Sequence, residues 1–348
     1  MSKEVLVSII CITYNHENFI KKAIEGFLIQ KVNFKYEILI HDDASIDKTI
    51  EILKEYEEKY SDVIKIIYQK ENQYSQGKDP IKYLYDLANG KYLAFCEGDD
   101  YWIDEYKLQK QIDFLEKNKE YSATYHNTFV VNKIGELYSE YRDAFPLLKS
   151  HEIAIEDLEN SKTLSGQLAT IVCRNFWKKW TKFQRNIYLK ANVNGDEKLS
   201  MTFPLEGKVY YFEDIMSCYR RTFDTDSWNS RNKNRDNKYY FSKSCEILKK
   251  YLKEMYNYDL KMEFTPSIYV LFSKTLKNPN LKNIKSFYKV LEKVKINEII
   301  TIIIKTIMRK NLKKLKRILK IKEKKYYWEL LENEREYYIK LRRKDYNG

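Results

Sequence analysis

The sequence predicts an α/β fold, a mostly parallel sheet flanked by helices, followed by a helical C-terminal region. Three observations lead there. Short apolar runs rich in β-branched residues alternate with helical patterns over residues 5–96. That order implies parallel strands with helices on both faces. Clusters of polar residues stand directly beyond four of the runs, and from Tyr239 onward the pattern is helical to the end.

The elements follow in order. Residues 5–12 form an apolar run too short for a helix and predict a buried strand. Phe19, Ile20, Ala23, Ile24, Phe27 and Leu28 recur at helical spacing. Residues 36–40 predict a second strand. Asp47 is positioned to cap the next helix, whose apolar face is Ile50, Leu53 and Tyr56. Residues 64–68 predict a third strand. A helix over 81–87 stops near Asn89-Gly90, and residues 92–96 predict a fourth strand. Farther on, residues 122–131, 168–173 and 209–212 are strand candidates, with a turn at 133–136. The polar stretch 223–238 marks a boundary. The expected domains are 1–236, divided into 1–103 and 104–236, and a helical region 237–348.

Charge and cysteine usage exclude several classes. Eleven basic residues lie between Lys305 and Lys325 against one acid, Glu323, so ten units of the net +13 charge fall in that window. A nearly neutral body with a basic appendage is not a chain built throughout for nucleic acid. The five cysteines are scattered without Cys-x-x-Cys spacing, which disfavours a zinc site or a disulfide framework. No stretch approaches the ~20 apolar residues of a membrane span. The apolar run after Met1-Ser2-Lys3-Glu4 is too short and wrongly flanked for a secretory signal. The expectation is a cytoplasmic protein.

In an open α/β sheet, ligands bind beyond the carboxyl ends of the strands. The four strand ends here carry Thr13-Tyr14-Asn15-His16-Glu17, then His41-Asp42-Asp43-Ala44-Ser45, then Glu71-Asn72-Gln73, then Glu97-Gly98-Asp99-Asp100-Tyr101-Trp102. Glu97, Asp99 and Asp100 crowd three like charges into four residues, and a hard divalent cation would offset them. An acidic helix start is the alternative. Asp42 and Asp43 fit either a helix cap or an acceptor for a base N–H, and Tyr14 could stack on that base.

These three motifs, from Val7 to Asn15, Asp42 to Thr49 and Glu97 to Trp102, resemble those of a family-2 glycosyltransferase, over roughly residues 5–230. The resemblance implies a glycosyltransferase-A fold, with a Rossmann-like nucleotide-binding sheet joined to an acceptor-binding part. It implies that Tyr14 and Asp43 hold the nucleotide base, usually uracil. Thr13, Asn15, Glu17, Asp42, Asp99 and Arg220 complete the expected nucleotide-sugar contacts. Asp99 and Asp100 match the metal motif, for Mn²⁺ or Mg²⁺, with Glu97 where many relatives have Asp. Asn194-Gly195-Asp196-Glu197 resembles the acidic motif that carries the catalytic base, and Asp196 is the expected base. Its alternative is a helix N-cap. Tyr219-Arg220 resembles a Tyr-Arg pair, but Thr222 stands where relatives often have His.

The implied activity is inverting transfer from a nucleoside-diphosphate sugar, usually UDP-linked, to a hydroxyl of a glycan or lipid-linked acceptor in cell-surface polysaccharide synthesis. A non-catalytic scaffold with a degenerate transferase domain is the rival. Ile300, Ile304, Ile307, Leu312, Leu315 and Leu319 recur at helical spacing within the basic segment. Residues 296–325 are therefore expected at the anionic inner face of the membrane. Packing on the body is the alternative, and nucleic acid is disfavoured.

Overall fold

The structure is a computed structural model that describes residues 4–137, 147–156, 167–222 and 237–261, the side chains of 237–243 excepted. The basic segment 296–325 and most of the polar stretch 223–238, including Trp228, lie outside the described residues. All described residues belong to the compact unit Met1–Glu263.

The N-terminal half alternates as its sequence dictates. It runs β1 (Val5–Thr13), α1 (Ile20–Leu28), β2 (Lys35–Asp42), α2 (Thr49–Lys59), β3 (Ile64–Tyr68), α3 (Ile81–Leu87) and β4 (Tyr92–Phe95). Then come β5 (Tyr101–Trp102), α4 (Lys107–Lys117), β6 (Tyr121–Val131), β7 (His151–Ile153) and β8 (Val172–Arg174). The described chain closes with α5 (Phe176–Lys179), α6 (Lys182–Lys190), α7 (Gly195–Glu206), β9 (Lys208–Arg220) and α8 (Asn237–Tyr256).

The strands form one nine-stranded sheet in the order β3-β2-β1-β4-β8-β6-β9-β5, with β7 also on β9. The four N-terminal strands pair in parallel. β8 then runs antiparallel to both its neighbours, and β6 pairs parallel with β9. This is the α/β architecture expected, with antiparallel strands entering beyond β4. Val7, Ile9 and Cys11 of β1, Ile38 and Ile40 of β2 and Ala94 of β4 are sealed beneath Ile20, Ala23, Ile24 and Phe27 of α1. Both faces of β1 are buried, which explains its unbroken apolar run. Gly26 lets α1 approach β5, since a Cβ there would lie 2.9 Å from the Trp102 carbonyl oxygen.

Two strand predictions change form. Residues 168–170 make a 3₁₀ turn before β8, because the Gln167 side chain accepts the Ala169 N–H at 2.7 Å and draws the chain into a cap. The run at 209–212 is one end of the thirteen-residue β9, whose register against β6 shifts at Asn127. The bulges break the alternation by which residues 213–220 would have been read as strand.

α8 begins at Asn237, inside the polar stretch, and packs on the body. The Tyr251 hydroxyl lies 2.8 Å from Thr202 Oγ1, and the Tyr256 hydroxyl donates to Glu206 at 2.7 Å. All five cysteines are buried and free. Among the described residues, no helix is long and apolar enough to cross a membrane.

Candidate active site

The sheet register brings the polar strand ends to one edge. Thr13 stands opposite Asp42, and Asp42 opposite Tyr68. The loops after β1 and β2 are laced together. The Asn15 N–H donates to Ser45 Oγ at 2.9 Å, and Asn15 Oδ1 accepts the Ile46 N–H at 2.9 Å. The His16 N–H donates to Thr49 Oγ1 at 2.8 Å. Glu17 accepts the Lys48 N–H at 3.0 Å and donates its own N–H to Asp47 at 3.0 Å. Asn15 and Ala44 sit in left-handed backbone, at φ 55 and 64. Tyr14 is half-buried.

Asp42 and Asp43 are both buried and both bonded. Asp42 accepts the Ser45 N–H at 3.0 Å and the Ser45 hydroxyl at 2.5 Å. Asp43 accepts the Gln73 N–H at 2.7 Å and the Tyr74 N–H at 3.0 Å, fixing the segment after β3. Two acids that the sequence marks for a nucleotide base are thus also the clamps that shape its surroundings.

The loop after β4 behaves otherwise. Single carboxylate oxygens of Glu97, Asp99 and Asp100 all lie within 4.8 Å of one another. Asp100 accepts the Arg220 N–H at 2.7 Å and is also bonded by the Gln167 amide. Among the described residues, no donor meets the carboxylates of Glu97 or Asp99. Gly98 is required by close approach, since a Cβ there would lie 2.6 Å from Thr13 Oγ1. The Arg220 guanidinium lies 4.7 Å above the Phe19 ring, and its charge only partly offsets the rise at Asp100. It donates to the carbonyls of Asp99 at 2.9 Å, Asn132 at 3.1 Å and Lys133 at 2.6 Å.

Asp196 lies in the first turn of α7, whose N-cap position is Asn194. Its carboxylate accepts the Glu197 N–H at 2.9 Å. Burial raises the Asp196 carboxyl above its usual range. Burial, Asp99 and Asp196 together push Glu97 up to about 8. Asp196 therefore shares a field with the acid loop although 99 positions separate it from Glu97 in sequence. Burial and the neighbouring Asp196 raise Glu197 to about 7. Burial, Asp99 and Glu97 raise Asp100.

The donor set fits a hard divalent cation. Such ions take oxygen ligands from one or two carboxylates and the rest from phosphates and water. Glu97 and Asp99 have open oxygens, while both oxygens of Asp100 already accept protein donors. Sequence reasoning missed Gln167, which holds Asp100, and Lys198, a lysine sealed in the otherwise buried run 198–203 of α7. A lone cation in that run was the available signal.

The acid-lined edge of a sheet that is parallel through β4 defines a glycosyltransferase-A fold. A family model for Glycosyl transferase family 2 matches residues 8–179, and this region of the chain belongs to that family. An uncharacterized protein of Mycobacterium tuberculosis is 36% identical over 154 residues, which is 44% of this chain and 42% of the relative. The Escherichia coli protein WfaP, named as a UDP-Glc:alpha-D-GlcNAc-diphosphoundecaprenol beta-1,3-glucosyltransferase, is 33% identical over 36% of this chain and 47% of its own. The chain thus spans less than half the length of these curated relatives. Residues 1–349 of S. aureus TarS in complex with UDP-GlcNAc share the fold, with TM-score 0.53 and 17% identity over 76% of this chain and 70% of that one.

Proposed function

We propose that the chain is an inverting, metal-dependent glycosyltransferase. It moves a sugar from a UDP-sugar to a hydroxyl of a glycan or lipid-linked acceptor in cell-surface polysaccharide synthesis. One observation carries this. Three carboxylates converge at the acid loop, with oxygens within 4.8 Å of one another, and the charge of Asp196, on a separate element, adds to burial and Asp99 in raising Glu97. The UDP-Glc in the name of WfaP and the UDP-GlcNAc of the TarS complex support a UDP-sugar.

Tyr14 and Asp43 would hold the base, within the frame formed by Thr13, Asn15, Glu17 and Asp42. Asp99, with Glu97 and Asp100, would hold Mn²⁺ or Mg²⁺, and Arg220 fixes that loop. A bound divalent cation there supplies Lewis-acid neutralisation of the leaving diphosphate. Asp196 takes the proton of the acceptor hydroxyl as its oxygen attacks the anomeric carbon. The C–O bond to the diphosphate breaks on the opposite face, so the configuration inverts. A carboxyl raised by burial suits a base working near neutral pH. The basic residues between Lys305 and Lys325 support docking of 296–325 at anionic lipid, where a bound acceptor would be within reach.

Calorimetry with UDP and Mn²⁺ tests the donor site. Binding should weaken sharply with chelator, while Asp196→Asn should bind normally yet transfer about 10²–10⁴-fold more slowly. Chelator-independent binding defeats the metal assignment. Full turnover in Asp196→Asn defeats the base assignment.

A further inference from the structure

Lys198 is 1% exposed, and three groups surround its ammonium. Nζ lies 3.4 Å from Asp79 Oδ2, 3.2 Å from the Tyr188 carbonyl oxygen and 3.4 Å from the Ala191 carbonyl oxygen. The Tyr188 ring closes the site from 4.1 Å. The two carbonyls belong to the last turn and C-cap of α6, where a cation is favoured by the helix dipole and unsatisfied oxygens. Burying an ammonium is costly unless it is paired and bonded, so this arrangement specifies one geometry.

What that geometry holds is α7. Lys198 is two residues beyond Asp196, and at ~100° per residue their side chains leave opposite sides of the helix. One side of the first turn is anchored while the other carries the carboxylate. The anchor at the far end is Asp79, whose Oδ1 also accepts the Ile81 N–H at 3.2 Å at the start of α3. Asp79 ends the segment that Asp43 grips at Gln73 and Tyr74. That segment is braced internally by Lys78 N–H to Gln73 O at 3.1 Å and Ser75 N–H to Asn72 Oδ1 at 2.7 Å. One braced stretch of chain therefore touches an Asp43 clamp at one end and the root of α7 at the other.

We propose that the Asp79–Lys198 ion pair is a positioning device that sets the catalytic base Asp196 against the donor-binding segment. This rests on Asp196 as the base. Lys198 touches no reacting atom. It fixes the angle at which α7 presents Asp196, and a displacement of about 1 Å at a reacting group can cost about 10²-fold in rate.

The test uses the full chain with Lys198→Met, Asp79→Asn and the double variant, which removes both charges and keeps the volume. Transfer kcat, UDP affinity with Mn²⁺ and melting temperature are measured for each. The positioning role predicts that the folded double variant binds UDP normally but transfers about 10²-fold more slowly. It also predicts that the kcat losses of the single variants do not add, since the pair acts as a unit. If a single variant fails to fold, the double variant alone decides. Wild-type kcat in a folded double variant, or a loss confined to UDP affinity or melting temperature, overturns the inference. Asp196→Asn in the same assay separates two failures. If it is inactive while the double variant runs at full rate, only the positioning role falls. If it turns over normally, the base assignment falls and this inference with it.

Discussion

Two acidic loops end the strands on either side of β1, and they are held in opposite ways. After β2, each oxygen of Asp42 and Asp43 accepts a donor from its own or the next loop. After β4, Glu97 and Asp99 face each other and Asp100 without a described donor of their own. Acids of the first kind stabilise the loops around them. Acids of the second kind repel one another and raise the energy of the folded chain, a cost that the proposed cation would relieve. Composition does not separate the two cases; the partners do.

Substitution should expose the difference most strongly in the second loop. Asp99→Asn should lower transfer by about 10³-fold, several kcal/mol of charge stabilisation, while leaving melting unchanged or raised. A melting temperature that falls along with activity would mean that Asp99 is a clamp like Asp43. Asp43→Asn should behave the other way in melting experiments. It replaces two charge-assisted hydrogen bonds by at most one neutral one and leaves a buried N–H bare, a loss of roughly 2 kcal/mol.

The comparison also has a pH signature. Glu97 titrates near 8 in the fold against 4.5 in a free chain, so between those values the native state holds a proton that the unfolded state has released. Its contribution to stability is therefore lost progressively as pH rises across that window and stays lost above it. Buried His41 and His126, both held below the usual histidine range by desolvation, act in the opposite direction. Glu97→Gln isolates the acid. The metal-free wild type should lose stability relative to this variant from about pH 5 to about pH 8, and Mn²⁺ should restore it more at the higher pH. A gap that ignores pH would place Glu97 outside the repelling cluster. The smallest effect belongs to the first loop. Ala44→Gly relieves a left-handed residue and should raise stability by roughly 1 kcal/mol, read by denaturant melts.

The edge where these loops meet was legible because apolar runs and turns fix where strands end. Thr13, Asp42 and the acid loop fall where the alternation puts them. What each acid does there was not legible. The partners of Asp43 lie 30 and 31 residues away, and those of Asp100 lie 67 and 120 residues away. No local pattern announces them. The sequence reading gives β9 four residues because its bulges hide the rest, and it passes over Lys198, whose partner Asp79 lies 119 residues away.

The lacing of the first two loops has a thermodynamic consequence. Five hydrogen bonds cross between residues 15–17 and 45–49, two of them made by residues next to left-handed backbone. The conformational entropy of these loops is lost when the chain folds, not when a ligand arrives. A ligand docking there meets a surface already in shape, so its binding carries little ordering penalty of this kind. The same lacing joins the two loops mechanically. A substitution at Asn15 is felt at Ser45 and Ile46 as directly as at Tyr14, and neither loop can change its shape alone.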